Sequence, residues 1–290
     1  MRDTAMTREE VLANPGAAQA ALDDVKSAAK SPLPTAEFPP DDMVKLPAGY
    51  LHEGELIRRV TVRELTGEDE EALARAIQNP NPYHFLDVLV SCGVERLGTL
   101  SREASLAILP DLLVGDRDEI ILGIRRVTYG DTVEVFNWLC PDCGRRIDKI
   151  EFSLTDDVER TTMQNPADES RFEVKLRNNA SAIVNLCTAR VLAATYEVDG
   201  LTLPQRNDIM LSKCVELWTD SKGQRHLIPG FPSMVRQMST VTRQTILREL
   251  SKRQPGPRYN EIRFKHEECG SEVTLALGIA DLFRDLLAGL

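Results

Sequence analysis

Apolar and polar residues alternate through IRRVTVREL, and the β-branched content of that run predicts a strand beginning near Leu56. Thr66-Gly67 then leads into EDEEALARAI, an acidic helix start. Beyond the Pro80/Pro82 break the apolar spacing predicts a helix over FLDVLVSCGVERL. A second is expected over DRDEIILGIRRVTYG, with its apolar residues on one face and Gly130 near its end. TVEVFNWL alternates as a strand and runs directly into Cys140-Pro-Asp-Cys143. The first forty-odd residues follow no such period. Thr7 and Glu10 suit a short capped helix that Asn14-Pro15-Gly16 interrupts, and Pro32, Pro34, Pro39 and Pro40 hold the chain extended. This stretch reads as an exposed arm, either disordered or ordering against a neighbouring subunit.

The order of elements then recurs. GDRDEIILGIRRVTYGDTVEVFNWLCPDCG aligns without gaps on VTRQTILRELSKRQPGPRYNEIRFKHEECG, placing Arg117 on Arg243, Ile120 on Ile246, Gly130 on Gly256, Cys143 on Cys269 and Gly144 on Gly270. The offset throughout is 126 residues. Upstream, LDVLVSCGVE lies over NDIMLSKCVE at an offset of 121, matching Asp87 with Asp208, Ser91 with Ser212 and Glu95 with Glu216. Two blocks in the same order predict an internal duplication.

Composition narrows the classes. With 42% hydrophobic and 28% charged residues in 290, the chain is expected to pack a core. A net charge of −10 without a compensating Lys/Arg cluster argues against nucleic acid as a partner. No stretch reaches the roughly 18 to 20 apolar residues of a membrane span, and MRDTAMTREE lacks the apolar core of a secretory signal, so synthesis and residence in cytoplasm are expected.

In a reducing compartment six cysteines point to ligands or core rather than to disulfides. The alignment puts His266 on Cys140, so the two halves supply Cys-x-x-Cys and His-x-x-Cys at equivalent turns. Cys140, Cys143, His266 and Cys269 together make a Cys3His set, a closed tetrahedral arrangement suited to structural Zn2+. The 122 residues between Cys143 and His266 far exceed local zinc-finger spacing; two related halves facing each other would bridge that gap. The alternative is a free or redox-active pair at Cys140 and Cys143 beside an unrelated histidine. Such a pair needs a helix N-terminus to lower its thiol pKa, whereas RRIDKIEF and SEVTLALG read as returning strands. Cys92, Cys187 and Cys214 sit among apolar neighbours in expected helices and read as core; His52, His84 and His226 lack a paired ligand or nucleophile and suit surface or cap positions.

The run LPAGYLHEGELIRRVTVRELTGEDEEALA, followed by VSCGVERLG, DRDEIILGIRRVTYGD and CPDCG, resembles the baseplate hub and hub-assembly proteins of contractile-tailed phages and related tail-like injection systems. The resemblance is clear over about residues 44 to 160. It implies a tail-assembly role, as a building block or as a helper in hub formation, and it supports Cys140 and Cys143 as metal ligands. Asp116, Arg117 and Arg125, within the resembling segment, either cap and solubilise a helix or contact a partner.

The expectation is therefore an α+β protein of two tandem related repeats, each made of helices and a small zinc-ribbon-like β-hairpin, joined by one shared metal site. Residues 1–43 form a flexible arm, 44–160 the first repeat with its CPDCG knuckle, and 161–290 the second with HEECG. The expected function is a non-catalytic, zinc-stabilised scaffold of a phage tail baseplate or phage-tail-like injection machine that binds other tail proteins, with no small-molecule substrate, made in host cytoplasm and carried in the baseplate. GxxxxGK[ST], GxSxG and HExxH are all missing, since HEECG lacks the second histidine. The competing readings are a zinc-ribbon adaptor in transcription or nucleic-acid handling, which calls for basic residues around both knuckles, and a thiol-redox enzyme.

Overall fold

A computed structural model describes residues 42–283. Most of the expected N-terminal arm, including the Thr7/Glu10 cap, lies outside the described residues; its last two positions begin a strand.

β1 (Asp42–His52) and β2 (Glu55–Val62) form an antiparallel hairpin. Thr66 caps α1 (Gly67–Ala76) through a reciprocal pair: its side chain accepts the Asp69 N–H, and the Asp69 carboxylate accepts the Thr66 N–H. Asn81 caps α2 (Pro82–Gly93), with proline at the first helical position where a missing N–H costs nothing. The helix expected to run through VERL stops at Gly93. Val94 turns to extended backbone, and β3 (Val94–Leu97) pairs with β2 instead. The ladder available beside Val60 and Val62 overrides a helical period that was only locally favourable. α3 (Arg102–Ile108) follows, then α4 (Val114–Tyr129), which ends at Gly130 with φ +86°. β4 (Thr132–Leu139) and β5 (Arg146–Ser153) make the next hairpin, and the short β6 (Arg160–Thr161) comes after it.

The second half begins with the single turn α5 (Pro166–Glu169) and the hairpin of β7 (Arg171–Lys175) and β8 (Ser181–Asn185). Helices α6 (Ala189–Ala194) and α7 (Leu203–Cys214) lead into β9 (Val215–Thr219), which pairs with β8; β10 (Arg225–Leu227) extends the sheet. After α8 (Pro232–Gln237) and α9 (Thr240–Arg253) come the short β11 (Gly256–Pro257), paired with β6, and the hairpin of β12 (Ile262–Lys265) and β13 (Glu272–Leu275). The single turn α10 (Ile279–Leu282) ends the described chain. The architecture is α+β.

The two sheets share details of register. β3 meets β2 with Val94 opposite Val62 and Arg96 opposite Thr61, which leaves Glu95 bulged. β9 meets β8 with Val215 opposite Val184 and Leu217 opposite Ile183, which leaves Glu216 bulged. Each bulged carboxylate takes an arginine: Glu95 lies 3.0 Å from Arg63 and from Arg102, and Glu216 lies 2.8 Å from Arg171.

Two apolar cores result. One gathers β1–β3, α2, α4, β4 and β5, and the other the second sheet with α7 and α9. The last described hairpin and the segment after it cross over, because Ile262, Leu275, Leu277, Leu282 and Phe283 pack into the first core. α4 is consequently enclosed on nearly every side. Asp116, Arg117, Glu119 and Arg125 are buried along with its isoleucines, so Asp116, Arg117 and Arg125 do not solubilise a surface helix, one of the two sequence readings for them. Glu119 pairs with Arg160 at 3.0 Å, and Arg125 donates to the carbonyls of Leu282, Gly130 and Thr132.

Candidate metal centre

The β4–β5 and β12–β13 hairpins end in turns of the same construction. Cys140 N–H donates to the Arg145 carbonyl at 2.9 Å, and Gly144 N–H donates back to the Cys140 carbonyl at 2.9 Å. In the second turn His266 N–H donates to the Ser271 carbonyl at 2.9 Å, and Gly270 N–H to the His266 carbonyl at 2.7 Å. Gly144 at φ +70° and Gly270 at φ +73° hold the left-handed position each turn requires, which a residue with a Cβ adopts only at a cost. Each turn offers one buried side chain, Cys140 or His266, and one exposed side chain, Cys143 or Cys269.

All four candidate ligands come together. Their donor atoms lie within 4.8 Å of one another. Cys140 Sγ is 3.9 Å from Cys269 Sγ, Cys143 Sγ is 3.5 Å from His266 Nδ1, and His266 Nδ1 is 3.1 Å from Cys269 Sγ. Around a tetrahedral zinc, with sulfur at about 2.3 Å and nitrogen at about 2.0 Å, sulfurs stand about 3.8 Å apart and sulfur and nitrogen about 3.5 Å apart. The cluster is therefore the size of a metal's first coordination sphere, and its soft donor set suits Zn2+. Hydrogen bonds from the Ser271 hydroxyl and amide, helped by His266 and Cys143, hold the Cys269 thiol down to about 6, in the range where thiolate is the ready form.

Side chains around the cluster, not singled out from the sequence, join the turns. Trp138 and Phe264, each two residues before the first ligand of its turn, meet edge to face with ring centroids 5.5 Å apart. Arg145 and Glu268 pair across the exposed rim at 2.9 Å. The gapless alignment carried a signal for the first contact, since it sets Trp138 over Phe264; the second depends on facing geometry that no alignment encodes.

The remaining cysteines behave as core. Cys214 is buried at the end of α7, and Cys92 is half-buried in α2, where burial pushes its thiol up to about 11. Cys187 is buried too, in the connection before α6 rather than in a helix as expected. His226 stacks on Trp218 with centroids 4.8 Å apart and faces Asp220, away from any ligand group. No described helix is long and apolar enough to cross a membrane.

An α+β protein whose two hairpin turns converge on a Cys3His cluster carries the donor set that structural metal sites use. The chain matches the profile of the T4 bacteriophage base plate protein family over residues 44–284, and it belongs to that family. Its role is that of a structural protein of the phage tail baseplate, which works in contact with other tail proteins. No curated protein and no solved structure gives a significant match.

Proposed function

We propose that the chain is an internally duplicated, zinc-stapled scaffold acting at the baseplate hub or during its assembly, with Cys140, Cys143, His266 and Cys269 as the ligands of one structural Zn2+. The observation that carries this reading is the convergence of the four donor atoms within 4.8 Å, two from each of two turns far apart in sequence. Support for duplication comes from the paired bulges at Glu95 and Glu216, the helix-to-strand junctions at Gly93-Val94 and Cys214-Val215, and the matched turns at Gly144 and Gly270. In this reading the first repeat runs through 44–160 and the second from 161 onward, with an N-terminal arm before them.

Zinc does no chemistry on a substrate here. Four protein ligands leave no position open for one, so the ion acts through stability: it favours the folded chain and fixes the angle between the hairpins. The scaffold then presents two related helical layers to neighbouring tail proteins. A nucleic-acid adaptor fits less well, because Glu268 pairs with Arg145 and Asp148 with Arg146, which cancels the basic pair beside the first knuckle.

Elemental analysis of the purified chain is expected to give one zinc per molecule. Cys143→Ser and Cys269→Ser should each lose it and melt lower by on the order of 10 °C. Unchanged metal content in both variants defeats the shared site.

A further inference from the structure

We propose that the cleft between α2 and α6 is a docking site for the free C-terminal carboxylate of a partner protein, with Arg117 as its anchor. The cleft, of about 520 Å³, is walled by Ile77, Pro80, Tyr83, Leu86, Tyr196 and Tyr259, with Arg117 among its lining residues. Arg117 is 4% exposed, yet its Nε and Nη1 have no hydrogen-bond partner among the described residues. Buried guanidinium nitrogens left unpaired are rare, because water's hydrogen bonds have been given up with nothing in return. Among the described residues its ion pair is a long one, from Nη2 to Asp118 Oδ1 at 3.4 Å, and the Tyr83 ring lies 5.3 Å from its guanidinium carbon.

The other half of the molecule shows what such an arginine takes. Arg243, 126 positions on, pairs with the Asp208 carboxylate at 2.5 Å. Asp87, which aligns with Asp208, feels the Arg117 charge, which pulls its carboxyl down against burial, but no ion pair like that of Arg243 and Asp208 joins the two among the described residues. A planar fork of donors at the base of an aromatic, proline-lined wall fits a terminal carboxylate that follows an apolar side chain. A second cleft of about 560 Å³ shares Val114, Asp118, Leu192 and Tyr259 with the first, and so gives an extended peptide somewhere to continue. In an acidic chain a small anion has little to hold it apart from this one arginine, whereas a peptide gains the apolar walls as well.

The inference rests on the scaffold reading only in that a scaffold needs partners, and its test reads peptide binding, which leaves the zinc measurement separate. The probe is a pooled library of acetylated pentapeptides randomised at the last two positions, offered to the full chain with free-acid or amidated ends. Selection is read by mass spectrometry, and the enriched peptides are titrated by calorimetry. Acids ending in apolar residues should be enriched and bind at least tenfold tighter than their amides. Arg117→Met should erase that difference. Because that variant disturbs a buried position, Ile77→Glu on the exposed rim serves as the second variant, weakening acid binding tenfold with an unchanged melting temperature. Equal selection of acids and amides, or acid binding indifferent to Ile77→Glu, overturns the proposal. Acetate or phosphate binding as tightly as the peptides, through Arg117, overturns the peptide assignment in favour of a small-anion site.

Discussion

Helices α4 and α9 align residue for residue at the 126-residue offset, but they live in different surroundings. In α4, ten of sixteen residues are buried, charged ones among them; in α9 only Ile246 and Leu250 are. The shared positions are those that face each helix's own sheet, Ile120 with Ile246 and Ile124 with Leu250. What differs is the other side. Solvent meets α9, while α4 meets β11 and the last described segment. One shared sequence pattern thus marks, in both helices, which face packs inward. Where each helix sits in the whole molecule decides what becomes of its other face.

The sharpest way to break the comparison is at its first turn. Gly115 of α4 lies against the backbone of Pro255 and Gly256: a Cβ built on Gly115 would stand 1.5 Å from the Pro255 carbonyl oxygen, and one on Gly256 would stand 2.6 Å from the Gly115 Cα. Two glycines make that backbone-to-backbone approach possible. The aligned residue of α9 is Val241, 41% exposed. Gly115→Val should destabilise by more than about 4 kcal/mol or prevent folding, because the obstacle is main chain and cannot rotate away. Val241→Ala should stay within about 0.5 kcal/mol. Urea unfolding of both variants checks this, and similar losses at the two sites would mean that α4 is not locked against the 255–256 segment.

That asymmetry also marks where sequence reading stops. TVEVFNWL could be read as β4 to the residue because strand alternation is a local property, and the acidic run EDEEALARAI announced α1 because carboxylates favour a helix's first turn. The four candidate ligands were legible only through the alignment of the two halves, since no local spacing links Cys143 to His266. Asp116, Arg117 and Arg125 left two readings open, a solubilising cap or a partner contact, because charge normally marks a surface. Their partners are the Ala48 and Gly49 amides, an aromatic cleft wall, and a carbonyl 157 residues on. The strand over Val94–Leu97 was missed for the same reason: its sheet partner comes from another part of the chain.

A milder break tests the far end of α4. Arg125 donates from Nε to the Leu282 carbonyl at 2.6 Å, from Nη1 to Gly130 at 2.9 Å and from Nη2 to Thr132 at 3.3 Å, and its guanidinium lies 5.1 Å from the Tyr129 ring. This one side chain ties the last described segment to α4 and to the start of β4. Arg125→Met keeps most of the volume but leaves those carbonyls without their charged donor, at a cost of about 3 kcal/mol. The aligned Ser251 is exposed, and Ser251→Ala should change stability by no more than about 0.5 kcal/mol. Hydrogen exchange adds the location: Arg125→Met should speed exchange around Leu282 and leave α9 unchanged, whereas uniform acceleration would show that the link is not local.

The smallest expected effect sharpens the comparison through pH. Ser239 caps α9 by accepting the Thr242 N–H, whereas Leu113 offers α4 no side-chain cap. The acid of the first turn of α4, Asp116, reaches outward to the Ala48 and Gly49 amides at 2.8 and 3.1 Å. Burial pushes its carboxyl up to about 6 despite those two donors and the pull of Arg58, with Glu119 adding to the rise. An unfolded aspartate titrates near 4. Between about pH 4 and 6 the folded chain therefore holds a proton that the unfolded chain has released. The stability this group lends is full below about pH 4 and is lost as pH rises through 6, an amount on the order of 2 kcal/mol. Asp116→Asn carries no titrating proton, so the difference in unfolding free energy between the parent chain and the variant should fall by that amount from pH 4 to pH 7, whatever constant offset the lost amide bond introduces. A difference that rises over the same interval would mean that the two amides outweigh burial and that Asp116 is held as an anion. The first turn of α4 would then be stabilised by charge, like an ordinary capped helix, rather than strained by its enclosure.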